Sequence, residues 1–412
     1  MKKLKYLLLT ILVTLLPVFL NALEIEGLYS KNVLVYDLDE DRVLYSIKED
    51  EQKSIASLTK LMTVLVALEN IEDLDKEITI TWSMLSNVPW DASVAGFYAG
   101  DTVTYRDLLY GVMLPSGADA ADSLAVSISG SVSSFVDLMN KKAKELGMTK
   151  TTFVDTTGYH DGSKSSSKDL VTLLKYALKN STFKEIYRAK TYKTTNDLNL
   201  RATIVAYSKN LPYDLSYVLG SKTGYTDEAG LCLSTLSNID NENIITITLD
   251  AKVDYDMDKH VKDLNNIYTS LKEGYDKVLL IKEGDAFLSL ETKYAKESTI
   301  TFYSKEDIFK YIEGDYNKEE LKLDYEGIKI VNYNTEIKTK LGTLKIYYKN
   351  ELVKEIDILL EEALHFSLLE FIKVNIVFIV IGLIALILTL LRIRVLIRRK
   401  KRKKLKRINS VK

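Results

Sequence analysis

Cysteine is almost missing from this 412-residue chain, since Cys232 stands alone, and that excludes an intrachain disulfide framework. Histidine is nearly as scarce. His160, His260 and His365 are scattered without metal-ligand spacing, so neither a structural metal nor a cofactor is expected. The same scarcity bears on any nucleophilic serine, which needs a base: none of the three histidines is marked as that base by its neighbours, and a lysine has to be sought instead. No internal repeat or low-complexity linker is apparent. Outside one segment, positive charge is also in deficit. The net charge is −1, yet residues 392–412 hold twelve Lys or Arg and no acid, which leaves −13 on the rest. With Lys2, Lys3 and Lys5 of the N-terminal segment set aside, the body stands at about −16. So acidic a body excludes nucleic acid as a partner.

The length exceeds one ordinary core and predicts two folded domains plus membrane segments. Residues 1–22 begin with lysines, continue in an apolar run from Tyr6 to Leu20 and reach the small Ala22, which reads as an export signal. From Val374 to Leu391 the chain is apolar apart from Asn375, Gly382 and Thr389, enough to nearly span a hydrocarbon core of roughly 30 Å as a transmembrane helix. The basic tail 392–412 follows it, and the positive-inside rule places that tail in the cytoplasm and the body outside.

Within the body, Asn32 to Leu38 and Val43 to Ile47 are β-rich runs that suggest a hairpin. Ser57 to Glu69 is apolar on nearly every face after its first turn, as in a helix enclosed by a core. Helices are expected at 105–114, 118–128, 134–146, 167–179 and 258–272, and strands at 231–236 and 244–249. Beyond about residue 277 the period changes to β-type alternation, at 298–303, 327–332, 342–348 and 352–359, which predicts a separate small β domain.

Three short runs carry chemistry. Ser57-Leu58-Thr59-Lys60 sets a hydroxyl and an ammonium three residues apart, on one face of a helix. Lysine serves as a base only if burial and a second cation lower its pKa. The helix N-terminus near Ser57 would favour developing negative charge. The same spacing at Ser165/Lys168 and Ser181/Lys184 serves as a control, read as solvated surface with no buried helix behind it. Lys222-Thr223-Gly224 offers a cation and a hydroxyl for a carboxylate, and its glycine lets a substrate backbone come close. Pro115-Ser116-Gly117-Ala118-Asp119 is a loop between helices whose serine can relay a proton or cap the next helix. All three in this order are far more specific than any one.

On these runs, and on Gly100-Asp101-Thr102-Val103-Thr104, Leu146-Gly147-Met148 and Tyr225-Thr226 with Ala229-Gly230 and Cys232, the chain resembles the low-molecular-mass penicillin-binding proteins that are D-Ala-D-Ala carboxypeptidases. The resemblance covers roughly residues 25–365. It implies an α/β/α catalytic domain on an antiparallel sheet at 23–276, related to serine β-lactamases, and a β-rich stalk at 277–365. It further implies Ser57 as the acylated nucleophile, Lys60 as its base and Ser116 as the second-motif serine. Lys222 with Thr223 would bind the substrate carboxylate, beside Gly224, and the N–H groups of Ser57 and Tyr225 would form the oxyanion hole. The implied partners are peptidoglycan stem peptides, with β-lactams as inhibitors. Two departures stand out: Ala118 occupies a position where the family usually has Asn, and Ile55 one where proline is common. Two other readings stay open, a catalytically impaired peptidoglycan-binding scaffold, suggested by Ala118, and a serine β-lactamase, which the missing Glu-x-x-Leu-Asn run disfavours.

Overall fold

The computed structural model of the protein describes residues 25–409; the export signal expected at 1–22 lies outside them. Two compact units divide the chain. The first ends at Asp276 and includes Tyr311–Gly314, and the second takes Lys277–Lys310 and the residues from Asp315 onward.

The first unit is built on five strands: β1 (Asn32–Asp37), β2 (Arg42–Ile47), β3 (Val218–Thr226), β4 (Gly230–Ile239) and β5 (Glu242–Ala251). They pair antiparallel in the order β2-β1-β5-β4-β3, which makes β3 an edge strand. Every residue of β1 is buried, and the reason is the twofold alternation of a strand. Leu34 and Tyr36 join the larger core, while Val33 and Val35 enter a second cluster with Ile267 and Leu271. A strand covered on both faces reads as a continuous apolar run.

The larger core is helical. It packs around α1 (Thr59–Asn70), whose residues are all buried from Thr59 to Ala67. Around it lie α2 (Tyr105–Met113), α3 (Ala118–Ser129), α4 (Val132–Glu145), α5 (Ser167–Ala177), α6 (Ser181–Arg188) and α7 (Thr203–Asn210). The opposite face of the sheet carries α8 (Lys259–Gly274), which supplies Ile267 and Leu271. This is the expected α/β/α arrangement on an antiparallel sheet.

Several local expectations need correction. Ser57 sits in a 3-10 turn, Ala56–Leu58, ahead of α1 and not within its first α-helical turn. Lys222, Thr223 and Gly224 lie inside β3, a strand additional to those expected at 231–236 and 244–249. A run with two glycines among nine residues reads as a turn, but pairing with β4 imposes the extended form. The control pairs are not backed by mere surface: Asn180 caps α6, which buries Phe183, Ile186 and Tyr187, and Ser165 is fully enclosed. Lys168 and Lys184 themselves are exposed, as expected.

The second unit is all β up to residue 359. Ala286–Lys293 pairs with Thr299–Tyr303 and Ile330–Asn332, and Lys340–Tyr348 pairs with Leu321–Gly327 and Glu351–Leu359. It continues into α9 (Leu368–Asn409), a single helix. Residues Leu368–Arg402 are long and apolar enough to cross a membrane, with none of the apolar window buried.

Candidate active site

Ser57 is half-buried at the mouth of a cleft of about 810 Å3, whose lining includes Lys60, Ser116, Gly158, Thr223 and Tyr225. The Lys60 ammonium donates to Ser57 Oγ at 3.1 Å and to the Thr157 carbonyl at 2.9 Å. Across the cleft, Lys222 Nζ donates to Ser116 Oγ at 2.9 Å and to the Thr223 carbonyl at 2.7 Å. Thr223 Oγ1 is 2.7 Å from Thr203 Oγ1 on α7. The structure thus brings all seven sequence-predicted residues together. Lys222, like Lys60, is almost fully buried, and Thr223 is the member of its run that lines the cleft.

The approach of β3 to Ser57 depends on Gly224. A Cβ there would lie 2.9 Å from the Ser57 nitrogen. Gly158 is more confined still, since its Cβ would fall 1.7 Å from the Ala56 carbonyl oxygen at a φ of +71°. The backbone is strained just before Ser57 and at Ser116 itself. Ala56 has φ 45° and Ser116 φ 65°, conformations that cost about 1–3 kcal/mol each in non-glycine residues and persist where packing over-determines them.

Three buried aspartates frame the cleft. Asp155 accepts from the backbone N–H groups of Thr157, Gly158 and His160, and so fixes the loop whose Thr157 carbonyl holds Lys60. Asp119 accepts from Ala95, Gly96 and Phe97 and fixes the facing loop. Asp122 accepts from Thr156 Oγ1 at 2.5 Å; burial pushes its carboxyl up to about 6.

The lysines respond to the same burial. Desolvation pulls Lys60 down to about 8, against the charges of Asp155, Asp122 and Asp119, which favour its protonated form. Lys222 falls well below the usual lysine range, first through burial and then through the positive charge of Lys60. Burial disfavours an ammonium, the condition under which a lysine becomes a base near neutral pH, and at Lys222 the charge of Lys60 adds to it.

Sequence reasoning missed the aspartate frame, the Thr157 carbonyl and His260. Asp119 stands in the Ser116 run and Asp122 one helical turn beyond, so their spacing is a usable signal; a backbone carbonyl leaves none. His260 is fully buried against Tyr207, with ring centroids 5.0 Å apart, and both its nitrogens lack a protein partner. Burial pulls it down to about 4, so it is neutral at physiological pH. Ala118 is buried at the head of α3 and lines the cleft, its N–H donating to the Ser93 carbonyl.

The family described as D-alanyl-D-alanine carboxypeptidase matches residues 21–253, and the family described as penicillin-binding protein 5, C-terminal domain, matches residues 275–365. Among curated proteins the chain is similar to the D-alanyl-D-alanine carboxypeptidase DacF of Bacillus subtilis, 28 % identical over 338 residues that cover 79 % of this chain and 83 % of that protein. It is similar also to the D-alanyl-D-alanine endopeptidase of Escherichia coli, 29 % identical over 262 residues, 60 % of this chain and 78 % of that protein. Among solved structures, a peptidoglycan synthesis regulatory factor, PBP3, of Streptococcus pneumoniae superposes with a TM-score of 0.65 at 21 % identity, covering 82 % of this chain and all of that one. At that identity the superposition speaks for the fold.

Proposed function

From the premise that this chain belongs to the serine D-alanyl-D-alanine carboxypeptidase family, we propose that Ser57 attacks the carbonyl of the penultimate D-alanine of a peptidoglycan stem. Lys60 Nζ, 3.1 Å away, takes the Ser57 proton as the Oγ–C bond forms. The tetrahedral oxyanion is stabilised by the N–H groups of Ser57 and Tyr225; each such donor is worth about 3–4 kcal/mol at the transition state. Ser116, held by Lys222, passes its proton to the departing amine of the terminal D-alanine and takes one from the protonated Lys60, which returns to the neutral amine, while Thr223 receives the carboxylate. Water then hydrolyses the acyl-enzyme by the reverse path, with Lys60 drawing a proton from it. β-Lactams would acylate the same Oγ. Edge strand β3 offers a backbone along which an extended stem peptide can lie.

The observation that carries this reading is the convergence of two serine–lysine pairs on one cleft from three separate parts of the chain, at 57–60, 116 and 222. Its test is D-alanine release from a pentapeptide stem by the full-length protein in detergent. Release of one D-alanine per stem supports the reading. Cleavage of cross-linked dimers without it would assign an endopeptidase, and persistent penicillin labelling without either would assign a scaffold.

Ala118 bears on capacity. Ala118→Asn returns an amide to the cleft wall, and a hydrogen bond to a charged or reacting group is worth about 1.5–3 kcal/mol, so kcat/KM is expected to rise about tenfold. A fall would show that the pocket has repacked around alanine.

For the second unit and α9 the same family suggests a stalk and a membrane anchor. We place the catalytic unit outside the membrane and the basic tail inside, on the charge asymmetry around α9.

A further inference from the structure

Far from the cleft, three carboxylates meet at the other end of the sheet. Asp37 ends β1, Asp39 stands in the β1–β2 turn and Glu242 opens β5; one oxygen from each lies within 4.8 Å of the others. Asp37 is fully buried and Glu242 is 4 % exposed. Asp37 Oδ1 accepts from the N–H groups of Asp39 and Glu40, both at 3.0 Å. Its Oδ2 is enclosed and has no partner.

A second orphan is found in the same place. The Tyr311 hydroxyl is buried without a partner, and it feels the charges of Asp240, Asp37 and Glu242. Two cations near the cluster have partners of their own. Arg42 bonds Glu40 at 2.7 Å and also donates to the Tyr311 carbonyl, while Lys272 reaches Asp240 at 3.3 Å. Burying a carboxylate oxygen with nothing bound to it is expensive unless a counter-charge arrives.

We propose that Asp37, Asp39 and Glu242 bind a hard divalent cation, calcium first, which clamps the β1–β2 turn to the β4–β5 turn. All-oxygen donors exclude soft metals. An oxygen separation of up to 4.8 Å suits calcium, whose metal–oxygen distances are about 2.3–2.6 Å, better than magnesium at about 2.0–2.1 Å. Asp39 also accepts from Asn243, at 2.8 Å from its N–H, so the turn is already tied to β5 and the ligands are preorganised. In register, Asp37 faces Ile244, whereas the catalytic end of the sheet is at Ala251 opposite Leu231. At the rise of a strand that is roughly 23 Å away, so the site governs stability and not the chemical step. The scarcity of histidine and cysteine speaks only to nitrogen and sulfur ligands; carboxylates at 37, 39 and 242 form a set only after folding.

The test uses chelator-treated full-length protein in detergent, with Asp37→Asn, which keeps an Oδ1 acceptor for the turn, and Glu242→Gln. Asp75→Asn, an exposed partner of Arg106, is the control. Tyrosine-sensitised terbium emission should appear in the wild type and be displaced by calcium, with half-saturation of about 0.1–1 mM, as in extracellular modules. At a hundredfold excess over Kd calcium should raise Tm by roughly 5–10 °C. Both site variants should lose emission and shift, the control neither, and penicillin labelling should be unchanged in all. Absence of emission and shift in the wild type, or an equal response in Glu242→Gln, overturns the site. Should Asp37→Asn fail to label, Glu242→Gln and calcium displacement of terbium decide the matter.

Discussion

Replacement of Ser57 by alanine is expected to remove covalent labelling by a fluorescent penicillin and to lower D-alanine release at least about 10^4-fold, as when a nucleophile acting within a concerted set is deleted. The result is not trivial, because the cleft contains two serine–lysine pairs. Ser116 with Lys222 has almost the same separation as Ser57 with Lys60, 2.9 against 3.1 Å. Exposure separates them: Ser57 is half-buried and Ser116 is 5 % exposed. Only Ser57 also lies against the glycine of β3, where a Cβ at Gly224 would crowd its nitrogen. A label that persists in Ser57→Ala and maps to Ser116 would invert the assignment of the two pairs. Intact mass of the penicillin adduct followed by peptide mapping reads the outcome directly.

The second large effect is at Lys60. Lys60→Ala should slow acylation by about 10^2–10^4-fold, the usual contribution of a positioned general base, and Lys60→Arg should be no better, because a guanidinium keeps its proton. The pH profile carries the sign. The active form is the neutral amine; with Lys60 brought down to about 8 by burial, acylation should rise as pH rises, about tenfold per unit below that value, and level off above it. In Lys60→Ala the rising limb should vanish. Retention of that limb in stopped-flow acylation traces would remove Lys60 as the base and shift attention to Lys222, which burial pulls well below the usual lysine range.

Much of this site was legible in the sequence because each motif residue brings its own local signature. The Ser57 to Lys60 spacing, the glycine after Thr223 and the serine between two helices are all visible in windows of five residues. The buried α1 was legible for the same reason, since its apolar residues fall on nearly every face. What stayed hidden is what tertiary context imposes. Val218–Thr226 has the composition of a turn and becomes a strand by pairing with β4. Ser181–Arg188 looks polar, yet Phe183, Ile186 and Tyr187 fall on one helical face that the core covers. Lys222 is the instructive case: composition reveals a cation, but only coordinates reveal that its ammonium is held by Ser116.

Strand β1 has a consequence for the order of events during synthesis. Asn32 is paired with Leu249, so the first strand of the five-stranded sheet has to wait for its last before the sheet can close, a long-range closure that slows folding. Ser57 and Lys60 are made early, but the strand that brings Lys222 and Tyr225 to them is made late. A chain made only as far as the helix that carries Lys60 therefore holds Ser57 and Lys60 without the second serine–lysine pair facing them, and the cleft is complete only once β3 has docked beside them.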